Sequence, residues 1–232
     1  HTNEVTVYSV GGYNKYFILN GKTMDIGEPI PEKRFFAYTK REPVGVVGAI
    51  IPWNVPLMIA MWKIAPTLAT GCTIVIKPSE VTPLATLRLA ELALDAGIPP
   101  GVINVVNGLG NEAGQALGEH PLVSKISFKG SVATGKLINK TATDTLKNVT
   151  LELGGKSPVI VLDDADLEKA SKGISMGIFG NTGHVCVAGS RLYIQRRVFD
   201  EAVERISKEA RSLKVGPGLH PETKIGPLVS KD

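Results

Sequence analysis

From Val44 onward, short continuous apolar runs alternate with longer amphipathic ones. Val44-Gly-Val-Val-Gly-Ala-Ile-Ile51 is apolar, rich in β-branched residues and closed by Pro52, which suits a buried strand. The Ala-, Leu- and Met-rich stretch 56–70 predicts a helix that stops at Gly71. Residues 73–77 predict a second buried strand ending at Pro78, and a helix over 83–96 follows with Gly97 just past its end. The alternation then repeats as strand 102–106 with helix 112–119, and strand 125–128 with helix 132–140. Beyond an apolar strand that ends near Glu152, a further set begins: strand 159–162, helix 167–178, strand 191–195 and helix 198–213.

Apolar strands without strict alternation are buried on both faces, and helices between them are the crossovers of a parallel sheet. The pattern therefore predicts an α/β fold with a doubly wound, mostly parallel, Rossmann-like sheet, followed by the start of a second α/β domain. A domain change is expected at Gly154-Gly155, where two glycines after a strand make a natural hinge. Before Val44 the reading is different. Residues 1–14 suggest the tail of a helix, and 17–26 and 34–41 suggest two strands around a Gly27-Glu28-Pro29 turn.

Composition narrows the function classes. No apolar run reaches the ~18 residues of a membrane span, so no membrane association is expected. The net charge of +4 is small and the basic residues are scattered, without the basic stripe that nucleic acid requires. Two cysteines in 232 residues make no disulfide framework; a reducing compartment, and hence the cytoplasm, is the simplest expectation. The chain begins with His and stops after a Pro/Gly-rich stretch, so both ends read as cut. Expressed alone, it is expected to be inactive or poorly soluble.

Ligands of open α/β sheets sit beyond the carboxyl ends of the strands, and there the residues are polar. Asn54 follows Pro52-Trp53 after the first strand; it reads either as a turn or cap residue or as an amide donor to a developing oxyanion. Lys77-Pro-Ser-Glu80 closes the second strand, either as a surface ion pair or as a ribose-chelating acid with its lysine. Gly130-Ser-Val-Ala-Thr-Gly135 opens a helix, placing Ser131 and unpaired N–H groups where a phosphate would bind, although a Ser-initiated helix is common. Glu152, among Val and Leu neighbours, reads either as a strand-edge residue paired with a lysine or as a general base whose basicity rises with partial desolvation. Cys186 lies in Gly180-Asn-Thr-Gly-His-Val-Cys-Val-Ala-Gly-Ser-Arg191, a loop of small residues between a helix and a strand. Cys72, beside a Val/Ile strand, reads as core; Cys186 reads as a small buried residue or as a nucleophile whose thiolate needs a local positive field.

Taken in order, Pro52-Trp-Asn-Val-Pro56, Lys77-Pro-Ser-Glu80, Phe128-Lys-Gly-Ser131, Leu151-Glu-Leu-Gly-Gly-Lys-Ser-Pro158 and Gly183-His-Val-Cys-Val-Ala-Gly-Ser-Arg191 resemble the aldehyde dehydrogenase superfamily over essentially the whole chain. The resemblance implies oxidation of a small-molecule aldehyde to the acid with NAD, NADP being possible, through a thiohemiacetal and a thioester on Cys186. It implies Glu152 as the base that activates water, with the Asn54 side chain and the Cys186 backbone N–H as the oxyanion hole. Lys63 matches a lysine beside the base, relaying a proton. Cofactor contacts are implied for Trp53, Lys77, Ser79, Glu80, Gly130, Ser131, Thr134, Leu153 and Gly154; no metal is implied. The implied architecture is a first cofactor-domain segment in 1–19, a bridging hairpin in 20–42, the NAD-binding domain in 43–154 and part of the catalytic domain in 155–232. A homodimer or homotetramer is the implied assembly.

Three departures stand out. His184 occupies a position where many relatives carry Gln, and Val185 and Val187 flank the nucleophile, so these bear on substrate specificity. A cation at His184 would favour the thiolate, while an inert loop histidine is the plainer reading. Lys129 stands where Thr is usual. Two other readings remain: a CoA-acylating relative, which has no need of Glu152, and a non-enzymatic member, which has no need of Cys186, Glu152 and Asn54 together.

Overall fold

The structure is a computed structural model that describes the backbone of residues 5–7, 16–18, 29–31 and 36–38 and all of residues 41–231. Four short strands come first: β1 (Val5–Val7), β2 (Tyr16–Ile18), β3 (Pro29–Pro31) and β4 (Phe36–Tyr38). β1 pairs antiparallel with β2, and β3 with β4. This corrects two expectations. Val5-Thr6-Val7 is strand and not helix, in keeping with its two β-branched valines around a β-branched threonine. Pro29 lies in a strand rather than in the turn, and it faces Tyr38 in a two-stranded ribbon, where an edge tolerates proline. The remainder of the expected helix tail, and residues 19–28, 32–35 and 39–40 of the expected hairpin, lie outside the described residues.

The chain divides into two compact units, residues 1–152 and 153–232. In the first unit, β5 (Val46–Ile50), β6 (Thr73–Lys77), β7 (Ile103–Val105), β8 (Val123–Gly130) and β9 (Asn148–Leu153) form one sheet in the order β7-β6-β5-β8-β9. β5 is parallel to β6 and β8, and β6 is parallel to β7. The chain thus steps outward from β5 to one edge and then returns to β5's other side. That reversal leaves a crevice at the carboxyl ends of β5 and β8, which is where such sheets hold ligands. The doubly wound α/β class is the observed one.

Helix α1 (Pro56–Ala69) packs its Ile59, Ala60 and Ile64 on Val47, Ala49, Ile74 and Ile76 of the sheet, with Cys72 in the same core. Gly71, at φ 74°, takes the left-handed conformation that turns the chain out of α1 into β6, which a residue with a Cβ would resist. Helices α2 (Leu84–Asp95), α3 (Gln115–Glu119) and α4 (Val132–Thr143) complete the unit. The helix expected over 112–119 begins instead with a wide π-type turn, Gly110–Gly114, in which Gly114 N–H donates to the Leu109 carbonyl five residues back. Glycines at both ends of that turn provide no side-chain packing to favour the tighter winding. β8 is longer than its apolar stretch predicts. It begins at Val123 and Ser124 and runs on through Lys129 and Gly130, and the register against β5 shifts between Val46 and Val47, where Ser124 stands exposed.

In the second unit, β10 (Pro158–Val161) and β11 (Arg191–Ile194) are parallel, and α5 (Leu167–Phe179) and α6 (Phe199–Ser212) pack together. Asp166 caps α5 by accepting from the Glu168 and Lys169 N–H groups, each at 3.1 Å. No helix among the described residues is long and apolar enough to cross a membrane.

Candidate active site

The carboxyl ends of the first unit's strands carry most of the expected residues. After β5, Trp53 and Asn54 are half-buried, and the Trp53 carbonyl accepts from Thr82 Oγ1 at 3.4 Å, tying the turn to the segment after β6. At the end of β6, Lys77 Nζ donates to Glu80 Oε2 at 2.8 Å. The lysine side chain is only 4% exposed and the glutamate 47%, so this is not the surface ion pair that one reading allowed. The hydrogen bond from Lys77 is the first cause that holds the Glu80 carboxyl below the usual carboxylate range. Ser79 between them is half-buried.

At the end of β8, a Cβ on Gly130 would lie 2.6 Å from Phe128 Cζ, so any side chain here would have to displace the buried Phe128 ring. Ser131 is the N-cap of α4: its Oγ accepts from the Thr134 N–H at 3.1 Å and donates to Thr134 Oγ1 at 2.9 Å. Its hydroxyl therefore does capping work. The N-terminal turn of a twelve-residue helix nonetheless faces the crevice side of the sheet, with Ser131 and Thr134 exposed. This donor set suits a dinucleotide: an acid–lysine pair for ribose hydroxyls, a close-approach glycine and a helix N-terminus for phosphate oxygens.

At the end of β9, the Glu152 carboxylate lies 3.8 Å from Lys129 Nζ, an ion pair longer than a hydrogen bond. Its side chain is 56% exposed, so the strand-edge reading with a lysine partner is met, and the reading in which Val and Leu neighbours desolvate it is not. Those neighbours point to the other face, because strand side chains alternate. Two further buried lysines, Lys63 and Lys125, share the region. Lys63, on α1, is pushed down to about 8, chiefly by burial; the Glu152 charge raises it, and Lys129 and Lys125 lower it. Lys125 Nζ donates to Thr150 Oγ1 at 2.8 Å, and burial lowers it as well. Sequence reading passed over Lys125 and assigned nothing to Lys129. The signal was the period-two spacing Lys125-Ser127-Lys129 on one face of β8, where all three side chains are buried.

Cys186 belongs to the second unit and is half-buried. The turn that presents it runs from the Val185 carbonyl to the Ala188 N–H at 3.0 Å, with Cys186 and Val187 at its corner. Upstream, Asn181 and Thr182 take left-handed φ values of 51° and 58°, and Gly183 follows at 77°. A β-branched residue in that region is strained, and such strain gathers at functional loops. His184 is half-buried, its N–H donating to the Asn181 carbonyl at 3.0 Å, and Val187 is exposed. Beside this loop an open apolar groove of about 350 Å³ is lined by Val159, Val161, Ile174, Gly177 and Val187. Leu153 is half-buried and Gly154 exposed at the start of the same unit. By contrast Cys72 sits in the core, its Sγ 3.5 Å from Thr70 Oγ1.

The family model described as "Aldehyde dehydrogenase family" matches residues 4–232. DhaS of Bacillus subtilis is 56% identical over 207 residues, 89% of this chain and 42% of that protein. Phenylacetaldehyde dehydrogenase of Pseudomonas fluorescens is 52% identical over 214 residues, 92% of this chain and 43% of that protein. The NAD+ complex of an aldehyde dehydrogenase from Bacillus cereus superposes with a TM-score of 0.86 at 51% identity, covering 89% of this chain and 42% of that one. The chain thus spans about 42% of the length of such relatives. On the match of nearly its whole sequence, and on the likeness of its fold, this chain belongs to the aldehyde dehydrogenase family.

Proposed function

We propose that this protein oxidises an aldehyde to the carboxylic acid with NAD, using Cys186 as nucleophile and Glu152 as hydrolytic base. The observation that carries the reading is the set of side chains at the carboxyl ends of β5, β6, β8 and β9: Asn54, the Lys77–Glu80 pair, Ser131 and Glu152. Lys77 and Glu80, with Ser79, would hold the adenosine ribose. Trp53, Gly130, Ser131 and Thr134 would meet the pyrophosphate, and Leu153 and Gly154 would complete the contacts. The Bacillus cereus relative in complex with NAD+ supports NAD as the cofactor. On this reading residues 1–19 and 43–154 form the cofactor domain, 20–42 the bridging hairpin and 155–232 part of the catalytic domain, and the protein assembles as a homodimer or homotetramer.

The chemistry proceeds on the chain's own atoms. Cys186 Sγ attacks the aldehyde carbon, and the oxyanion that forms is met by the Asn54 amide and the Cys186 backbone N–H. One such donor is worth roughly 3 kcal/mol of barrier. When bound, the nicotinamide supplies the hydride acceptor. The oxidised carbon is then a thioester on Cys186. Glu152 takes a proton from a water molecule, whose oxygen adds to the thioester carbonyl, and the Cys186 thiolate leaves as the acid forms. Lys63, whose charge state responds to Glu152, can take that proton in its neutral form, which its lowered value of about 8 brings within reach.

A panel of aldehydes assayed for NADH formation with and without CoA tests the reading. CoA-independent NADH and free acid are expected. Strict dependence on CoA, or no NADH with any aldehyde, would overturn it.

A further inference from the structure

Lys129 departs from the residue that the family resemblance leads one to expect, and it carries a charge into a place where Thr would carry none. Its side chain is 7% exposed. A desolvated ammonium is costly unless negative charge or a π face compensates it. The Trp62 ring, whose centroid lies 5.7 Å from Lys129 Nζ, and the Glu152 carboxylate at 3.8 Å both contribute to this. The pair is asymmetric. The cation is fixed by burial in β8 and by the face of an α1 tryptophan, whereas the acid stands mostly in water and is joined by charge without a hydrogen bond. Of the two partners it is the carboxylate that can be drawn aside.

We propose that Lys129 is a positioning residue for Glu152, tethering its carboxylate at the β8 side of the sheet edge and sharing it with Lys63. The effect on turnover rests on the reading of Glu152 as the base; the tether itself does not. Lys63 follows Trp62 on α1, and the charges that act on it come from Glu152 on β9 and from Lys129 and Lys125 on β8. Of the two buried β8 lysines, Lys129 lies within ion-pair distance of Glu152 and competes for it, while Lys125 donates to Thr150. Removing the Lys129 charge hands the carboxylate to Lys63 and takes a repelling neighbour away from it. Removing the Glu152 charge does the reverse. The two changes must therefore move the protonation of Lys63 in opposite directions, a signature that simple loosening of the fold does not produce.

The experiment is an NMR titration of the protein carrying 13C at lysine Cε, with Lys63 assigned through Lys63→Arg. The Lys63 midpoint is expected near pH 8 in the parent. It should rise towards 10.5 in Lys129→Met, stay near the parent value in Lys129→Arg and fall in Glu152→Gln. Lys129→Thr, the residue usual at this position, replaces the Met variant if that one does not fold, and should behave in the same way. An unmoved midpoint in the charge-removing variants, or shifts of one sign for Lys129 and Glu152, would overturn the tether. In turnover, Lys129→Met should alter the rate of acyl-enzyme breakdown more than the NADH burst, and Lys129→Arg should restore it. Unaltered breakdown alongside a shifted Lys63 would overturn the role in turnover. Full turnover of Glu152→Gln would instead overturn the base assignment and leave the tether standing.

Discussion

Lys77 Nζ and Glu80 Oε2 meet at 2.8 Å at the carboxyl end of β6, with the lysine buried and the glutamate open to solvent. The buried cation fixes the acid's place and keeps it ionised, its carboxyl lying below the usual range. An ionised acid at an adenosine ribose accepts from the hydroxyls and repels a 2′-phosphate. NAD is therefore expected to be preferred over NADP at every pH above the ordinary carboxylate range. Glu80→Gln should narrow the preference, as measured by the ratio of kcat/KM for the two cofactors. An unchanged ratio would place Glu80 away from the ribose.

The two cysteines should respond oppositely to the same change. Cys186→Ser is expected to remove dehydrogenase activity while leaving NAD affinity nearly intact, since Cys186 lies in a loop outside the first unit's strand ends. Cys72→Ser puts a hydroxyl into the core beside Ile74 and Ile76 and should lower stability by about 1–3 kcal/mol with turnover kept. Thermal melts and steady-state rates on both variants check this, and the reverse pattern would undo the assignment.

Glu152→Gln preserves shape and removes the proton acceptor. A burst of NADH in a single turnover, followed by acylated Cys186 visible by mass spectrometry, is the expected result. The variant should also perturb the buried Lys129, which loses its anionic partner.

Lys63 gives a pH test of stability. Its folded-state value of about 8 lies below the ordinary 10.5, with burial the main cause. The unfolded chain therefore binds more protons between these two values, and stability rises with pH across that window. Below about pH 8 the full penalty is present; above 10.5 it is gone. Lys63→Met should thus be more stable than the parent near pH 7, by at most on the order of 3 kcal/mol, with the difference closing as pH rises to 10.5. Denaturant midpoints at pH 7 and pH 10 would decide the matter; a difference that widened with pH would contradict the burial argument.

Ser131→Ala removes the N-cap of α4, whose Oγ accepts from Thr134 N–H. A loss of about 1 kcal/mol in stability is expected. If the same turn receives the cofactor's phosphates, NAD affinity measured by titration should fall as well. Stability lost with affinity unchanged would confine Ser131 to capping.

What local sequence decides here is periodicity and punctuation. The runs around Val47 and Ile74 are apolar at successive positions, so they had to be strands covered on both faces, and Gly71 and Gly97 had to end the helices before and after β6. The α/β alternation and the strand-end positions of Asn54, Glu80, Ser131 and Glu152 follow from that alone, because each depends on neighbours a few residues away. The order β7-β6-β5-β8-β9 does not, since it is set by which strands find each other across intervening helices. Charge and exposure were equally out of reach. Sequence left open whether Lys77 lies at the surface and whether Glu152 is desolvated; the lysine is buried and the glutamate is largely open. The same holds for Lys129: its meeting with Glu152 on β9 and Trp62 on α1 joins residues 23 and 67 positions away. Burial and charge pairing are properties of what the fold brings alongside a side chain, and only the tertiary structure decides that.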